Sequence, residues 1–365
     1  MTLSVIQRSF ILAALAGLTL STVEGPAMAQ SAPIVAMDDA EERLNRLLEQ
    51  ALEAVEENNY SQAIALYREA TTLDAENPRI FSGIGYLEAQ SNNFEAAVTA
   101  YQQAVALEPD NVDFQYSLGY SLAQLQDYAG AAQAYRRAAQ IDSNNVDTLL
   151  GLGVVLTRLK DYSGALEAYQ QVAALQPNNA RIYEFIGALF IEEGRYSDAI
   201  DVLQEASTLA PGRSSVYHNL GVAWVNLNDI EAGLTAFRRA AALDPRDAEV
   251  HLQIGDILRS RGDVDGAFDA YRRASGINPD LPEAHALQAD IYLARENFSR
   301  AIIEYQWVIE LTPDAATAHY GLGRAFVGNR QGRRAKEAFE EAQRLYQQQG
   351  NPEGVARVEA ALEAL

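Results

Sequence analysis

The chain has no cysteine among its 365 residues, so disulfides, thiolate metal sites, iron–sulfur clusters and thiol nucleophiles are excluded. Positive charge is scarce as well: 28 Lys and Arg residues stand against 50 Asp and Glu residues, and the formal net charge is -22. A surface this acidic repels phosphate backbones, which excludes nucleic acid as a partner. The same charge favours partners with a basic segment.

The motifs of common enzyme families are also missing. The sequence contains no phosphate-binding G-x4-G-K-[ST], no H-E-x-x-H and no G-x-S-x-G. Three of the four histidines, His251, His285 and His319, are spaced 34 residues apart. Packed helices lie about 8–10 Å apart, whereas a metal needs its ligands at about 2 Å, so we interpret these histidines as packing residues. We expect no enzyme activity, no cofactor and no metal site.

Long apolar runs are absent. The run Phe10–Leu20 is shorter than the ~20 residues of a transmembrane helix, follows Arg8, and precedes the small-x-small sequence Ala27-Met28-Ala29. We therefore predict a secretory signal peptide over residues 1–29, with Gln30 as the new N-terminus. The mature protein would be exported, periplasmic or extracellular, with no membrane span. A retained membrane anchor is the alternative.

What the sequence does contain is a 34-residue repeat. A fixed period of this length is typical of a stacked array, whose core grows along one axis. Three of the repeated positions are a proline with one serine in its place, an aromatic or leucine eight residues earlier, and a glycine or alanine 24 residues earlier. The residues are Pro109, Ser143, Pro177, Pro211, Pro245, Pro279 and Pro313; Tyr101, Tyr135, Tyr169, Leu203, Phe237, Tyr271 and Tyr305; and Gly85, Gly119, Gly153, Gly187, Gly221, Gly255 and Ala289.

These positions resemble the tetratricopeptide repeat (TPR) pattern W-x2-L-G-x2-Y, then A-x3-F, then P. The resemblance covers nine repeats, at 44–77, 78–111, 112–145, 146–179, 180–213, 214–247, 248–281, 282–315 and 316–349. It implies an all-α, right-handed superhelical solenoid of about nine helix pairs. Residues 30–43 are predicted to be a linker and helix start, with the helix beginning near Asp39, and residues 350–365 a C-terminal capping helix.

The resemblance also implies a binding surface, because the first helices of TPR pairs line a concave groove. Apolar and aromatic residues at these positions suit an extended peptide or a helix. The alternative is ordinary exposed apolar residues, which occur on any surface. The predicted groove residues of this kind, with two polar neighbours, are Tyr86, Tyr116, Tyr120, Leu150, Val154, Ile191, His218, Val222, Val225, Asn226 and Tyr320.

Farther along the chain the same face becomes acidic. Glu249, Asp256, Glu283 and Asp290 map to the inner face of repeats seven and eight, with Arg259 and Arg324 nearby. We expect this set to steer a basic partner segment. A solvated face and a weak calcium site are alternatives, although oxygen ligands spread over two repeats suit calcium poorly.

A carboxylate clamp of the kind found in chaperone-binding TPR domains is not expected. The clamp uses Lys and Asn at defined inner positions, and none of the corresponding positions holds either residue. These positions hold Ser82, Tyr116, Leu150 and Glu184, then Tyr86, Tyr120, Val154 and Ala188. Glu88 is also unusual, because other repeats place a large apolar residue there; it either extends toward solvent or marks a distortion.

The sequence thus predicts an exported scaffold that binds a protein or peptide on the inner face of its repeats. We expect it to act in the assembly of an envelope or membrane complex. The alternative is an accessory subunit of a polysaccharide synthesis or export system.

Overall fold

The computed structural model describes residues 31–365 of the chain, with side chains from Asp39 onward. The predicted signal peptide lies outside the described residues. Within them the secondary structure is helical throughout, in 19 helices and without strands. The all-α TPR solenoid predicted from the repeat is confirmed. No helix of residues 31–365 has the length and apolar character needed to span a bilayer.

The helices follow one another in pairs, and from Pro78 onward each first helix begins at the first residue of a predicted repeat. Their bounds are α1 Ser31–Glu56, α2 Tyr60–Leu73, α3 Pro78–Gln90, α4 Phe94–Leu107, α5 Val112–Gln124, α6 Tyr128–Ile141, α7 Val146–Arg158, α8 Tyr162–Leu175, α9 Ala180–Glu192, α10 Tyr196–Leu209, α11 Ser214–Asn226, α12 Ile230–Leu243, α13 Ala248–Ser260, α14 Val264–Ile277, α15 Pro282–Ala294, α16 Phe298–Leu311, α17 Ala316–Gly328, α18 Gly332–Gln348 and α19 Pro352–Glu363.

The start of α1 differs from the prediction. The helix begins at Ser31, so residues 31–38 are helical and do not form a linker, whereas the predicted helix from Asp39 is part of α1. Sequence reasoning treated Pro33 as a linker residue. A proline is tolerated in the first turn of a helix, where its missing N–H would have had no partner.

Short polar side chains start most of the helices. In α8, for example, Asp161 accepts a hydrogen bond from the backbone N–H of Gly164 at 3.1 Å, and in α7 Asn145 accepts one from Thr148 at 2.9 Å. Such capping satisfies backbone donors that have no partner within the helix. The second helix α8 then ends at Leu175, two residues before Pro177, which cannot donate a hydrogen bond within a helix.

A left-handed residue joins the two helices of every pair. Because an L-residue rarely adopts a positive φ, this turn favours glycine, yet most repeats place another residue there. The residues on this 34-residue grid are Asn58, Asn92, Gln126, Lys160, Gly194, Asn228, Gly262, Glu296 and Arg330, with φ between 58° and 79°.

Cα packing divides the chain into unit 1, up to Asn178, and unit 2, Asn179–Leu365. Each has its own buried core, which in unit 1 is built around residues such as Ala63, Tyr67 and Tyr101, and in unit 2 around Phe237, Tyr271 and Phe339.

In the repeats that have it, the glycine of the first helix makes room for the large residue of the paired second helix. A Cβ on Gly119 would lie 2.9 Å from the ring of Tyr135, and the same ring lies against Gly151 of the next repeat. Tyr135 therefore packs against the first helix of its own pair and against that of the next pair. In unit 2 the pair Gly187 and Leu203 has the same arrangement with an aliphatic side chain.

Candidate functional site

The first helices of unit 1 present a set of aromatic and apolar side chains that we call the aromatic face. α3, α5 and α7 contact one another in sequence along the stack. Tyr120 and Val154 are exposed, at 36% and 44%, and the rest of the set is partly buried. The face consists of Tyr86, Tyr116, Tyr120, Leu150 and Val154.

Two tyrosines of this face pack on rings of second helices, one buried and one partly buried. Tyr116 packs on Tyr135 with ring centroids 5.7 Å apart, and Tyr120 packs edge-on to Phe94 at 6.4 Å. Burial raises the pKa of Tyr116 to about 12, with Asp147 and Tyr120 adding to the shift, so the phenol is neutral at physiological pH. Rings held in this way lose little conformational freedom when a ligand covers them.

The remaining predicted groove residues lie in unit 2, and several of them pack partly against core side chains. Val222 and Val225 pack against the core, and His218 lies over Phe237 at 5.7 Å between ring centroids. Ile191 is half-buried. Asn226 folds back, because its side-chain amide donates to the backbone oxygen of Val222 at 2.8 Å.

The acidic residues of unit 2 differ from one another in their surroundings. Asp256 accepts a hydrogen bond from the hydroxyl of Tyr271 at 2.9 Å, and Asp290 accepts one from Tyr305 at 2.5 Å. Glu249 accepts from Gln253 on its own helix at 2.8 Å. Glu283 is exposed and has no polar partner among the described residues. We call these four carboxylates the acidic face.

Two of the arginines predicted near the acidic face, Arg259 and Arg324, have different surroundings. Arg259 is 3.8 Å from Asp256, close enough for an ion pair but exposed to solvent, so it contributes little stability. Arg324 lies 5.9 Å from the ring centroid of Tyr320, and Arg357 of α19 lies at the same distance. Tyr320 itself is half-buried and packs on Phe339. The predicted groove residue Tyr320 therefore stands among cations, beyond the acidic face.

Sequence reasoning did not find the role of the spaced histidines. Their Nε2 atoms lie 3.3, 3.0 and 3.0 Å from the backbone oxygens of the prolines six residues earlier. A carbonyl only accepts, so each Nε2 donates. Gln115 makes the same bond to Pro109 at 3.0 Å, which shows that the position takes a donor of suitable length. The histidines are His251, His285 and His319, and the prolines Pro245, Pro279 and Pro313.

Glu88 is explained by a partner in the preceding repeat. Its side chain is buried, and its two oxygens accept hydrogen bonds from Arg68 at 2.8 Å and from Asn93 at 3.0 Å. The carboxylate neither extends to solvent nor distorts α3, because an arginine and an amide satisfy it in place. Across residues 39–365, no three His, Asp or Glu side chains come together as a metal site would require.

Two protein-family models match the repeat region of the chain. A family model described as the Cilia and flagella-associated protein 70 C-terminal domain, a TPR domain, matches residues 38–278. The chain belongs to this tetratricopeptide repeat family. A further model described as TPR repeat matches residues 289–329, within repeats eight and nine. The TPR fold is one that serves protein–protein interaction, so the chain is a TPR scaffold.

Relatives and solved structures carry the same repeat. A TPR repeat-containing protein of Picosynechococcus sp. (strain ATCC 27264 / PCC 7002 / PR-6) is 45% identical over 51 residues, which cover 14% of this chain and only 13% of that protein. A TPR protein from Parabacteroides merdae ATCC 43184 is 15% identical with a TM-score of 0.53, covering 68% of this chain and 98% of its own. Pseudomonas aeruginosa pilF is 25% identical with a TM-score of 0.49, covering 55% and 92%. The likeness to the Parabacteroides merdae protein is one of fold alone.

Proposed function

We propose that this TPR scaffold binds a partner protein through an apolar segment on the aromatic face and a basic segment on the acidic face. The observation that carries the proposal is the exposure of Tyr120 and Val154 on the contacting first helices α5 and α7, with Tyr116 and Tyr120 packed on Tyr135 and Phe94. Contiguous apolar patches, unlike scattered exposed side chains, mark binding surfaces.

The acidic face supports a basic partner by charge. Glu249, Glu283 and Asp290 are exposed, and the whole chain carries a formal net charge of -22. Such a surface accelerates the approach of a basic segment, and salt weakens this effect. We further propose that the partner belongs to an envelope or membrane complex, which follows from the predicted export signal.

The binding test uses a displayed library of random peptides selected on the full chain. We expect selected peptides to combine aromatic or aliphatic residues with Arg or Lys, and to lose most of their affinity for the Tyr86→Ala, Tyr116→Ala, Tyr120→Ala triple variant. The matched control is the Leu107→Ala, Leu175→Ala variant, which removes side chains 40% and 42% exposed at the ends of second helices. Equal binding by the triple variant and the wild type would overturn the proposal.

Export is tested separately. We expect the native protein, recovered from the source cells, to begin at Gln30 and to fractionate outside the cytoplasm. A native protein that begins at Met1 would contradict this part of the proposal and leave the binding test unaffected.

A further inference from the structure

The strongest unassigned feature is a difference between repeats seven and eight. In repeat eight the ring of His285 is held on both sides: Nε2 donates to Pro279, and Nδ1 lies 2.7 Å from a carboxylate oxygen of Glu304 on α16. The two side chains are only 12% and 16% exposed. With the Glu304 carboxylate on the second helix, both ring nitrogens of His285 on the first helix have a hydrogen-bond partner.

Repeat seven lacks that carboxylate. His251 makes the same bond to Pro245, but the position of Glu304 is taken by Ala270, 34 residues earlier. A pocket of about 570 Å³ opens there, lined by α12, α13 and α14 and including His251, Gly266 and Ala270. His251 is only 6% exposed, and its Nδ1 has no hydrogen-bond partner among the described residues.

Two arginines line this pocket. Arg238 of α12 and Arg273 of α14 are exposed, and neither forms an ion pair with a described carboxylate. Asp269 also lines the pocket, but Arg272 donates to it at 3.3 Å. The pocket is therefore positive in a chain whose formal net charge is -22.

Repeat nine shows that the histidine alone does not make such a site. His319 bonds to Pro313, and Ala338 stands where repeat eight has Glu304. The positions of the two arginines, however, hold Gln306 and Glu341. Repeat seven alone of these three combines an unfilled carboxylate position with two unpaired arginines.

We propose that this pocket binds a glutamate side chain of an acidic peptide segment in a partner protein. One carboxylate oxygen accepts a hydrogen bond from Nδ1–H of a His251 imidazolium whose Nε2–H donates to Pro245, and Arg238 of α12 and Arg273 of α14 supply further positive charge. Hydrogen bonds between charged groups are stronger than neutral ones, which favours a carboxylate over an amide. The pocket lies between the first helix α13, which carries His251, and the second helices α12 and α14, and its lining residues include no member of the aromatic or acidic face.

Fluorescence anisotropy tests the proposal with the full chain and two short labelled peptides, one of alternating glutamate and serine, the other with glutamine in place of glutamate. We expect the glutamate peptide to bind at least tenfold more tightly, which corresponds to about 1.4 kcal/mol. Equal affinity for the two peptides would overturn the proposal.

Ala270→Glu is the sharpest variant, because it supplies the carboxylate from within the chain. We expect it to fold as the wild type does and to lose roughly tenfold in affinity for the glutamate peptide. His251→Gln keeps the bond to Pro245, as Gln115 does in repeat three, and should lose affinity as well. His319→Gln is the matched control and should bind as the wild type.

The exposed pair Arg238→Gln, Arg273→Gln gives a second measurement that does not depend on the buried positions. We expect this double variant to melt like the wild type and to discriminate poorly between the glutamate and glutamine peptides. Undiminished binding by both the double variant and Ala270→Glu would show that the glutamate peptide binds elsewhere.

Discussion

In unit 1 the large residue of each second helix is a tyrosine: Tyr67, Tyr101, Tyr135 and Tyr169. In unit 2 the same position holds Leu203, Phe237, Tyr271, Tyr305 and Phe339. The neighbouring first-helix position changes with it, from Tyr120 beside Tyr135 to Asp256 and Asp290, which accept hydrogen bonds from Tyr271 and Tyr305. One packing framework thus carries an aromatic face in one unit and an acidic face in the other.

The largest expected effect is an alkaline transition that begins in unit 1. Burial raises the pKa of Tyr67, Tyr101, Tyr135 and Tyr169 above the ordinary value of 10. The neutral phenol is favoured in the folded state, so this stabilisation is complete below pH 10 and is lost as pH rises from 10 through the folded-state pKa values. In unit 2 burial also raises the pKa of Tyr271 and Tyr305, but Leu203, Phe237 and Phe339 do not ionise, so unit 1 has four such tyrosines at this position against two in unit 2.

Absorbance at alkaline pH follows tyrosine ionisation, and circular dichroism follows helix content. Limited proteolysis above pH 10 then locates the first cleavage, which we expect before Asn178. First cleavage within unit 2 would contradict this difference between the units.

The next largest effect on stability is expected when a large side chain replaces the glycine of a first helix. In Gly153→Leu the new Cβ would lie 2.4 Å from the ring of Tyr169, and in Gly187→Leu it would lie 2.5 Å from Leu203. We expect each to lower the free energy of unfolding by about 1–3 kcal/mol, with Gly153→Leu the more harmful because a ring cannot bend away. Urea unfolding measures both. An unchanged curve for Gly187→Leu would show that the helix register of repeat five is wrong.

Removing single hydroxyls should have a smaller effect, and one that differs between Tyr305 of unit 2 and Tyr135 of unit 1. Tyr305→Phe loses the 2.5 Å bond to Asp290 and should cost about 1 kcal/mol. Tyr135→Phe loses no hydrogen bond among the described residues and should lie within about 0.5 kcal/mol of the wild type. Thermal melts of the two variants test the comparison. Equal losses would show that the carboxylate on the first helix does not distinguish the units.

The smallest effect is expected at the left-handed turn. Lys160 in unit 1 has φ 61°, whereas unit 2 places Gly194 there with φ 73°. Lys160→Gly should stabilise the chain by roughly 0.5–1 kcal/mol and Gly194→Ala should destabilise it by a similar amount. The denaturation midpoints of the two variants, measured alongside the wild type, show whether each substitution stabilises or destabilises the chain. A loss of stability in Lys160→Gly would contradict the view that the positive φ at this turn favours glycine.

The fold was predictable because a period of 34 residues needs no knowledge of contacts. Pro177, Gly153 and Tyr169 each mark a fixed place in a repeat, and each helix pair follows from them. The start of α1 was not predictable, because Pro33 is compatible with both a linker and a first helical turn. The place of a residue in the 34-residue repeat predicts which helix it belongs to. The first residue of a terminal helix is harder to predict, because helical and extended conformations have similar energies there.

The candidate site was predictable only as a set of positions. Tyr120 and Val154 are exposed on the first helices, whereas Asn226 binds its own helix. Hydrogen bonds between side chains of different helices depend on distances that the sequence does not give. Glu88 and Arg68, which are twenty residues apart, are an example. The pocket beside His251 was not predictable for a related reason. It forms because Ala270 has no carboxylate to place beside His251, and this is recognised only by comparison with Glu304 beside His285.

Both tryptophans of the sequence, Trp224 and Trp307, belong to unit 2. Trp307 is 42% exposed and its indole N–H donates to the backbone oxygen of Pro279, the same oxygen that His285 contacts. Indole emission therefore reports on one half of the chain without any label. Loss of the bond to Pro279 would register in the emission spectrum, while events confined to unit 1 would leave that spectrum unchanged and appear only in the signal of the tyrosines.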